Sequence, residues 1–395
     1  MKSFQSPPVI QMKIMIPGGH LTPALGLIDW IKEKYPDVEL VFVGRKYSQQ
    51  KLKQPALEFN EISKRHLEFI SFEGVKSSRS LLLMPLKLLK LILSVRKALS
   101  IVDVHKPDVL MSFGGYMAIP LAIASKIRGV PILTHEGTSV VGRANKILFR
   151  LADGVVYSYP KFYNFDLSTL KKPSLRTGTP LRTKIILPNS SDQPIWIKKP
   201  IGDDQRILLV LGGSQGSLTI NKLIQDSIQE LVKDWIVVHQ CGRPNKFYNY
   251  REELIQRSSE LKVSADRYYV REWIEEEELA WLYKVATLAV SRSGANTLEE
   301  LRYYQIPSIL IPLPHSYYQE QEMNANFMAE HGAAIILLQN EATPENLLSQ
   351  LNLVLTHRKQ IQANLKSVPL LDSKQAPELI FQQLKKICKQ PSRSE

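Results

Sequence analysis

Cysteine is nearly missing: the 395 residues contain two, Cys241 and Cys388. Two distant thiols build no disulfide framework and match no metal-site spacing, so a reducing, cytoplasmic setting is expected. A secretory leader is not expected either, because residues 1–8 are short and polar, and the apolar run at 10–16 enters a glycine turn without a cleavage site. Long hydrophobic runs are lacking too. The most apolar stretch, 81–99, is interrupted by Lys87, Lys90, Arg96 and Lys97, short of the roughly 20 apolar residues a spanning helix needs. No Walker A loop occurs, and no G-x-G-x-x-G is followed by an acidic residue about 20 positions on, so no nicotinamide cofactor is indicated. No Asp-x-Asp pair closes a strand. Neither cofactor nor metal is expected.

Acidic residues are scarce in one half only. Residues 1–180 hold 26 Lys and Arg against 13 Asp and Glu, out of 51 and 38 in all, so the remainder is balanced at 25 each. The whole excess of +13 lies in the first half. That asymmetry points to an anionic partner for one domain, either nucleic acid or an anionic membrane surface.

What is present is α/β alternation. Short apolar strands are predicted at 13–16, 39–43, 108–112, 131–134 and 154–158, with helical patterns between them, 24–34 the first. A second series follows at 206–211, 235–240, 268–270, 288–291, 308–311 and 334–337. Such alternation implies doubly wound parallel sheets. The stretch 186–205 is rich in Pro, Asp and Ser and reads as a linker. The expected division is a first domain at 1–180, a linker at 181–205, a second domain at 206–372, and a last segment, 373–395, whose helix (376–389) packs back on the first domain.

Three predicted turns at strand ends carry paired glycines: Gly18-Gly19-His20, Gly114-Gly115-Tyr116, and Gly212-Gly213-Ser214-Gln215-Gly216-Ser217. Glycine there admits positive φ and close backbone approach, and the helix that follows favours negative charge. Ligands of open α/β sheets bind at such strand ends. A fourth segment, Ser291-Arg292-Ser293-Gly294-Ala295-Asn296-Thr297-Leu298-Glu299-Glu300, follows a strand and leads by way of Pro312-Leu313-Pro314-His315 to Gln321-Glu322-Met323-Asn324-Ala325.

Read with His135-Glu136 and Gly178-Thr179-Pro180-Leu181-Arg182, these segments resemble the MurG family of GT-B glycosyltransferases, in order from about residue 12 to the last helix. The resemblance implies two Rossmann-like domains with a cleft between them. It also implies transfer of N-acetylglucosamine, with inversion, from UDP-GlcNAc to the MurNAc hydroxyl of an undecaprenyl-pyrophosphoryl acceptor. That is a step of peptidoglycan synthesis at the cytoplasmic face of the membrane.

By this resemblance Glu300 accepts bonds from the ribose hydroxyls. Ala295, Asn296 and Thr297 lie at the donor, with Ala295 and Thr297 along the diphosphate, and Ser214 bonds the diphosphate. Ile274 receives uracil by backbone contacts, Gln321 holds the sugar hydroxyls, and Arg182 meets donor charge at the hinge. Pro17, Gly18, Gly19 and Thr138 fall at family donor positions; Gly18, Gly19, Gly114, Gly115 and Tyr116 fall at acceptor positions. His20 is the candidate base, since imidazole titrates near neutrality, and Glu136 is the second. Diphosphate departure would rest on helix dipoles and N–H groups.

The chain departs from the family pattern at two points of consequence. Pro17 replaces a hydroxyl residue and removes an N–H from the first loop, and Gly137-Thr138 replaces an amide pair. One residue is inserted after His315. At 81–99, Lys87, Lys90, Ser94 and Lys97 are expected on one helix face, with Leu88, Leu89, Ile92 and Leu93 elsewhere. That pattern suits either a helix packed on the sheet or one docked on anionic lipid. Rival readings are a UDP-GlcNAc 2-epimerase, a diacylglycerol glycosyltransferase and a non-catalytic nucleic-acid binder. The last is disfavoured because the basic half lacks aromatic–basic interleaving.

Overall fold

The computed structural model describes residues 11–49, 54–74, 84–188, 192–202, 204–213, 215–244 and 248–388. The chain forms two compact units. One holds the residues up to Arg182 together with those from Leu370 onward; the other is Thr183–Pro369.

The first unit runs β1 (Lys13–Pro17), α1 (Leu21–Lys34), β2 (Glu39–Gly44), β3 (Tyr47–Gln49), β4 (Gln54–Pro55), α2 (Leu57–Lys64), β5 (Glu68–Ser71), α3 (Met84–His105), β6 (Val109–Ser112), α4 (Ala118–Ile127), β7 (Ile132–Glu136), α5 (Arg143–Leu151), β8 (Gly154–Tyr157) and β9 (Ser174–Arg176). Seven of its strands form one parallel sheet in the order β5-β2-β1-β6-β7-β8-β9, and β3 and β4 make a separate hairpin. The central strands read as unbroken apolar runs because both faces are covered. Ile14, Met15 and Ile16 of β1 are fully buried, as are Val109, Leu110 and Met111 of β6. Burial of each such side chain contributes about 1.5–3 kcal/mol.

Helix α1 shows the local logic. Ala24, Leu25, Leu27, Ile28 and Ile31 are buried on one stripe, while Lys32 and Lys34 stand in the last turn, where the helix dipole favours cations. It stops at Lys34: the amide of Tyr35 still bonds Ile31 O, but Pro36 has no N–H to continue.

The second unit runs α6 (Thr183–Ile186), β10 (Arg206–Leu211), α7 (Leu218–Asp234), β11 (Trp235–Gln240), α8 (Tyr250–Glu260), β12 (Tyr268–Arg271), α9 (Glu276–Val285), β13 (Leu288–Ser291), α10 (Ala295–Tyr303), β14 (Ser308–Leu310), α11 (Glu320–Glu330), β15 (Ile335–Ile336), α12 (Pro344–Thr356) and α13 (Arg358–Ser367). Its parallel sheet is ordered β12-β11-β10-β13-β14-β15, the arrangement of a Rossmann dinucleotide-binding sheet. The last helix, α14 (Ala376–Cys388), returns to the first unit. There Ile380, Phe381, Leu384 and Ile387 join the core around Ile14, Leu27 and Val109.

The segment that reads as linker by composition belongs in good part to the second unit. Ile185 and Ile197 are buried in its core, and Trp196 Nε1 donates to Glu278 Oε1 at 2.8 Å. Helix α3 departs from the expected faces. Ser94 is buried with Ala98 and Val102, one turn apart each, so it belongs to the packed stripe and not to a lysine face. The outward side mixes Lys90, Arg96 and Lys97 with Leu89, Ile92 and Leu93, each of these three more than half exposed. Residues 81–83 and the side chains of 84–88, Lys87 and Leu88 among them, lie outside the described residues. Among the described residues no helix is long and apolar enough to cross a membrane.

Candidate active site

In each sheet the strand order reverses at one place, and a crevice opens there beyond the carboxyl ends of the two diverging strands. In the first unit that place lies between β1 and β6, and both strands end in glycine pairs. The pairs meet. A Cβ on Gly19 would stand 2.1 Å from Gly114 O, and one on Gly115 would stand 2.7 Å from Gly19 Cα. Gly114 and Gly115 also have φ of +82° and +86°. Gly115 therefore demands glycine on two counts, space and backbone conformation, whereas space alone requires it at Gly19 and chiefly conformation at Gly114. Gly18 N donates to Val43 O at 2.7 Å and Gly114 N to Ser112 Oγ at 3.0 Å, which pins the first loop to the neighbouring β2 and the second to its own strand β6. His20 follows as the exposed N-cap of α1, and its side chain makes no capping bond.

The end of β7 adjoins this place. His135 is fully buried, and its Nε2 lies 3.0 Å from Gly178 O. A carbonyl only accepts, so Nε2 carries the proton and Nδ1 is the bare nitrogen. Burial pushes His135 down to about 4, and proximity to His20 acts in the same direction. It is a neutral ring at physiological pH.

Glu136 is buried as well, and both its oxygens are taken. Oε1 accepts from Thr138 N (3.1 Å) and Thr138 Oγ1 (2.9 Å); Oε2 accepts from Gly142 N (3.0 Å) and Asn145 Nδ2 (2.8 Å). Four donors make Glu136 the anchor of the 137–142 turn and leave it no lone pair poised for a substrate proton. Thr138 is likewise engaged, its hydroxyl lying between Glu136 Oε1 and Val140 O at 2.6 Å. Asn145, which sequence reasoning missed, ties His135 O and Glu136 together and lies against Gly114. Its only signal is its position in the first turn of α5.

In the second unit the reversal lies between β10 and β13. The turn after β10 is again glycine-governed: Gly213 and Gly216 have φ of +80° and +75°, and a Cβ on Gly216 would meet Cys241 O at 2.2 Å. Ser214 lies outside the described residues. The cap of α7 is Ser217, whose Oγ accepts from Ile220 N. After β13, Gly294 caps α10 with no side-chain bond, with no acidic residue in the first turn, and with open space where its Cβ would be. The amides of Ala295, Asn296 and Thr297 therefore begin the helix uncapped, half-exposed and suited to an anion.

Glu300 sits deeper, buried, with Oε2 accepting from Tyr283 OH at 2.8 Å. Glu299 instead pairs with Arg302. Gln321 opens α11 beside this turn: its carbonyl accepts from Ser293 Oγ (2.7 Å) and its Oε1 from Leu313 N (3.1 Å), which leaves the side-chain NH2 to donate. Just before it, Tyr318 and Gln319 both have positive φ. The amide of Ile274 is spent on Gln240 Oε1 (3.1 Å) and its side chain on the core, so neither is open to a ligand. Arg182, last residue of the first unit, is buried.

Two doubly wound units, each with open glycine turns and helix N-termini at its strand reversal, define a GT-B-type sugar-nucleotide enzyme. Family models of the glycosyltransferase family 28 N-terminal and C-terminal domains match residues 17–157 and 207–386. The UDP-N-acetylglucosamine--N-acetylmuramyl-(pentapeptide) pyrophosphoryl-undecaprenol N-acetylglucosamine transferase of Clostridium tetani is 30% identical over 372 residues, 91% of this chain and 94% of that protein. The chain belongs to this transferase family, the MurG family. Among solved structures, Acinetobacter baumannii MurG matches with a TM-score of 0.67 at 22% identity, covering 95% of this chain and 99% of its own. A UDP-N-acetylglucosamine 2-epimerase matches at 0.59 and 12% identity, over 98% and 100%. Shape alone does not separate transferase from epimerase.

Proposed function

We propose that the chain transfers N-acetylglucosamine from UDP-GlcNAc, held by the second unit, to the muramyl hydroxyl of a polyprenyl-pyrophosphoryl acceptor, held by the first. The hydroxyl oxygen attacks the anomeric carbon, the bond to UDP breaks, and configuration inverts. His20 takes the hydroxyl proton, since it is exposed beside the glycine loops while His135 is buried and Glu136 is fully bonded. The uncapped start of α10 offsets the charge that builds on the departing diphosphate. Glu300 accepts from the ribose and the Gln321 NH2 donates to the sugar.

The observation that carries this reading is the open, acid-free N-terminus of α10 with a buried carboxylate behind it. That spacing of anion site and hydroxyl acceptor suits a nucleoside diphosphate. The outward face of α3, apolar side chains among lysines, supports peripheral docking on anionic lipid at the cytoplasmic face of the membrane. Radiolabelled UDP-GlcNAc incubated with detergent-dispersed lipid acceptor tests the proposal. A lipid-linked disaccharide plus UDP is expected; an epimeric UDP-sugar formed without acceptor and without release of UDP overturns it.

A further inference from the structure

Pro17 ends β1 without an N–H, so the first loop offers an anion one donor fewer than any other residue there would allow. A cation stands beside the gap. Arg45 follows Gly44, the last residue of β2, and β2 pairs with β1 so that Pro17 is opposite Val43. The amide of Arg45 donates to Glu58 Oε1 at 2.6 Å, and its Nε lies 3.5 Å from the same oxygen. Glu58 is 7% exposed, and its Oε2 would be 3.0 Å from a Cβ on Gly18. Tyr116, next after Gly115, lies close enough to the Arg45 side chain for the two to interact electrostatically. The end of β2, the start of α2 and the loop after β6 thus bring an arginine, a carboxylate and a phenol near one another, with the carboxylate against Gly18.

The chemistry of the group is directional. Arginine only donates, so toward Arg45 the phenol oxygen of Tyr116 can act only as an acceptor, which leaves the phenol proton for a ligand. Burial pushes Tyr116 up, which keeps that proton in place. A buried carboxylate is costly unless it is bonded: burial pushes Glu58 up, and the backbone bond from Arg45 together with the ion pair at 3.5 Å offsets part of that cost while holding Arg45 in place. The Arg45 side chain remains one-third exposed, with Lys46 following. A fixed guanidinium beside a hydroxyl donor suits two adjacent phosphate oxygens.

We propose that Arg45, positioned by Glu58 and partnered by Tyr116, binds the pyrophosphate of the acceptor and takes over the contact that Pro17 removes from the loop. This rests on the reading that the first unit holds a pyrophosphoryl acceptor. Glu58 is a positioning residue and touches no substrate.

Steady-state kinetics with a short-chain, water-soluble pyrophosphoryl acceptor tests it. In Arg45→Met the acceptor KM is expected to rise about tenfold or more, with kcat and the KM for UDP-GlcNAc nearly unchanged. Arg45→Lys should recover part of the loss, and Glu58→Gln should fall between. Inorganic pyrophosphate titrated calorimetrically into UDP-saturated protein should bind the wild type and not Arg45→Met. An unchanged acceptor KM, or unchanged pyrophosphate affinity, in both Arg45 variants overturns the proposal. So does an Arg45→Met protein that keeps its acceptor KM but no longer sediments with acceptor-free phosphatidylglycerol vesicles, since the arginine would then serve lipid headgroups. If the wild type makes no lipid-linked product, the transferase reading fails, and the pyrophosphate titration still decides the role of Arg45.

Discussion

His20 and Glu136 stand in opposite situations although both are family positions. The first is exposed and uncapped; the second is buried under four donors. His20→Ala should lower turnover at saturating substrates by 10²-fold or more, about the usual worth of a general base, and leave UDP affinity as it was. Glu136→Ala should act on stability instead, since orphaned donors cost roughly 1–3 kcal/mol each set; chemical denaturation would measure it. Unchanged stability together with lost activity would return Glu136 to the role of base. His135 sets a pH limit. Its ordinary value is 6.5, and in the folded protein it is about 4. Between these values the unfolded chain holds the extra proton, so stability present above pH 6.5 is lost as pH falls towards 4. The loss is about 3 kcal/mol. Buried His239, pushed down to about 3, adds to the same fall. The thermal midpoint should drop through this window, and less steeply in His135→Gln; parallel curves would refute the assignment.

At the level of elements, the glycine turns act as mated parts. Gly19→Ala should disrupt the first loop against Gly114 O and raise the acceptor KM, while UDP binding, which the proposed function assigns to the other unit, should stay constant by calorimetry. Equal acceptor KM values would mean the loops do not hold the acceptor. Legibility divides along the same lines. Strands 206–211, 235–240 and 288–291 match β10, β11 and β13 residue for residue, because central parallel strands are continuous apolar runs. β5 and β9 escaped: both are sheet edges whose inner residues are only half-buried, so Glu68-Phe69-Ile70-Ser71 carries little hydrophobic pattern. The glycine loops were legible because φ and close approach restrict residue type locally. Arg45, Glu58 and Tyr116 were not read as a group. Their meeting depends on the end of β2, the start of α2 and the loop after β6 being folded together, and no local spacing encodes that.

For the molecule as a whole, the basic excess and the outward face of α3 lie in the same unit. Lys90→Glu with Lys97→Glu should weaken sedimentation with anionic vesicles by an order of magnitude or more, since each lysine near the surface contributes about 1 kcal/mol. The wild-type binding should fall with salt. Equal sedimentation of mutant and wild type would leave the charge to another partner. The return of α14 to the first unit bears on how the chain comes off the ribosome. The second unit is one continuous stretch, complete once Pro369 has emerged, whereas the first waits for Ile380, Phe381, Leu384 and Ile387 to close its core. Chains stalled after residue 369 should show a protease-resistant second unit and a first unit still open to cleavage; resistance of both would show that α14 is dispensable. On this order of assembly, the half begun first in translation is finished last, so a chain cut short between residue 369 and α14 yields a complete second unit beside an unfinished first one.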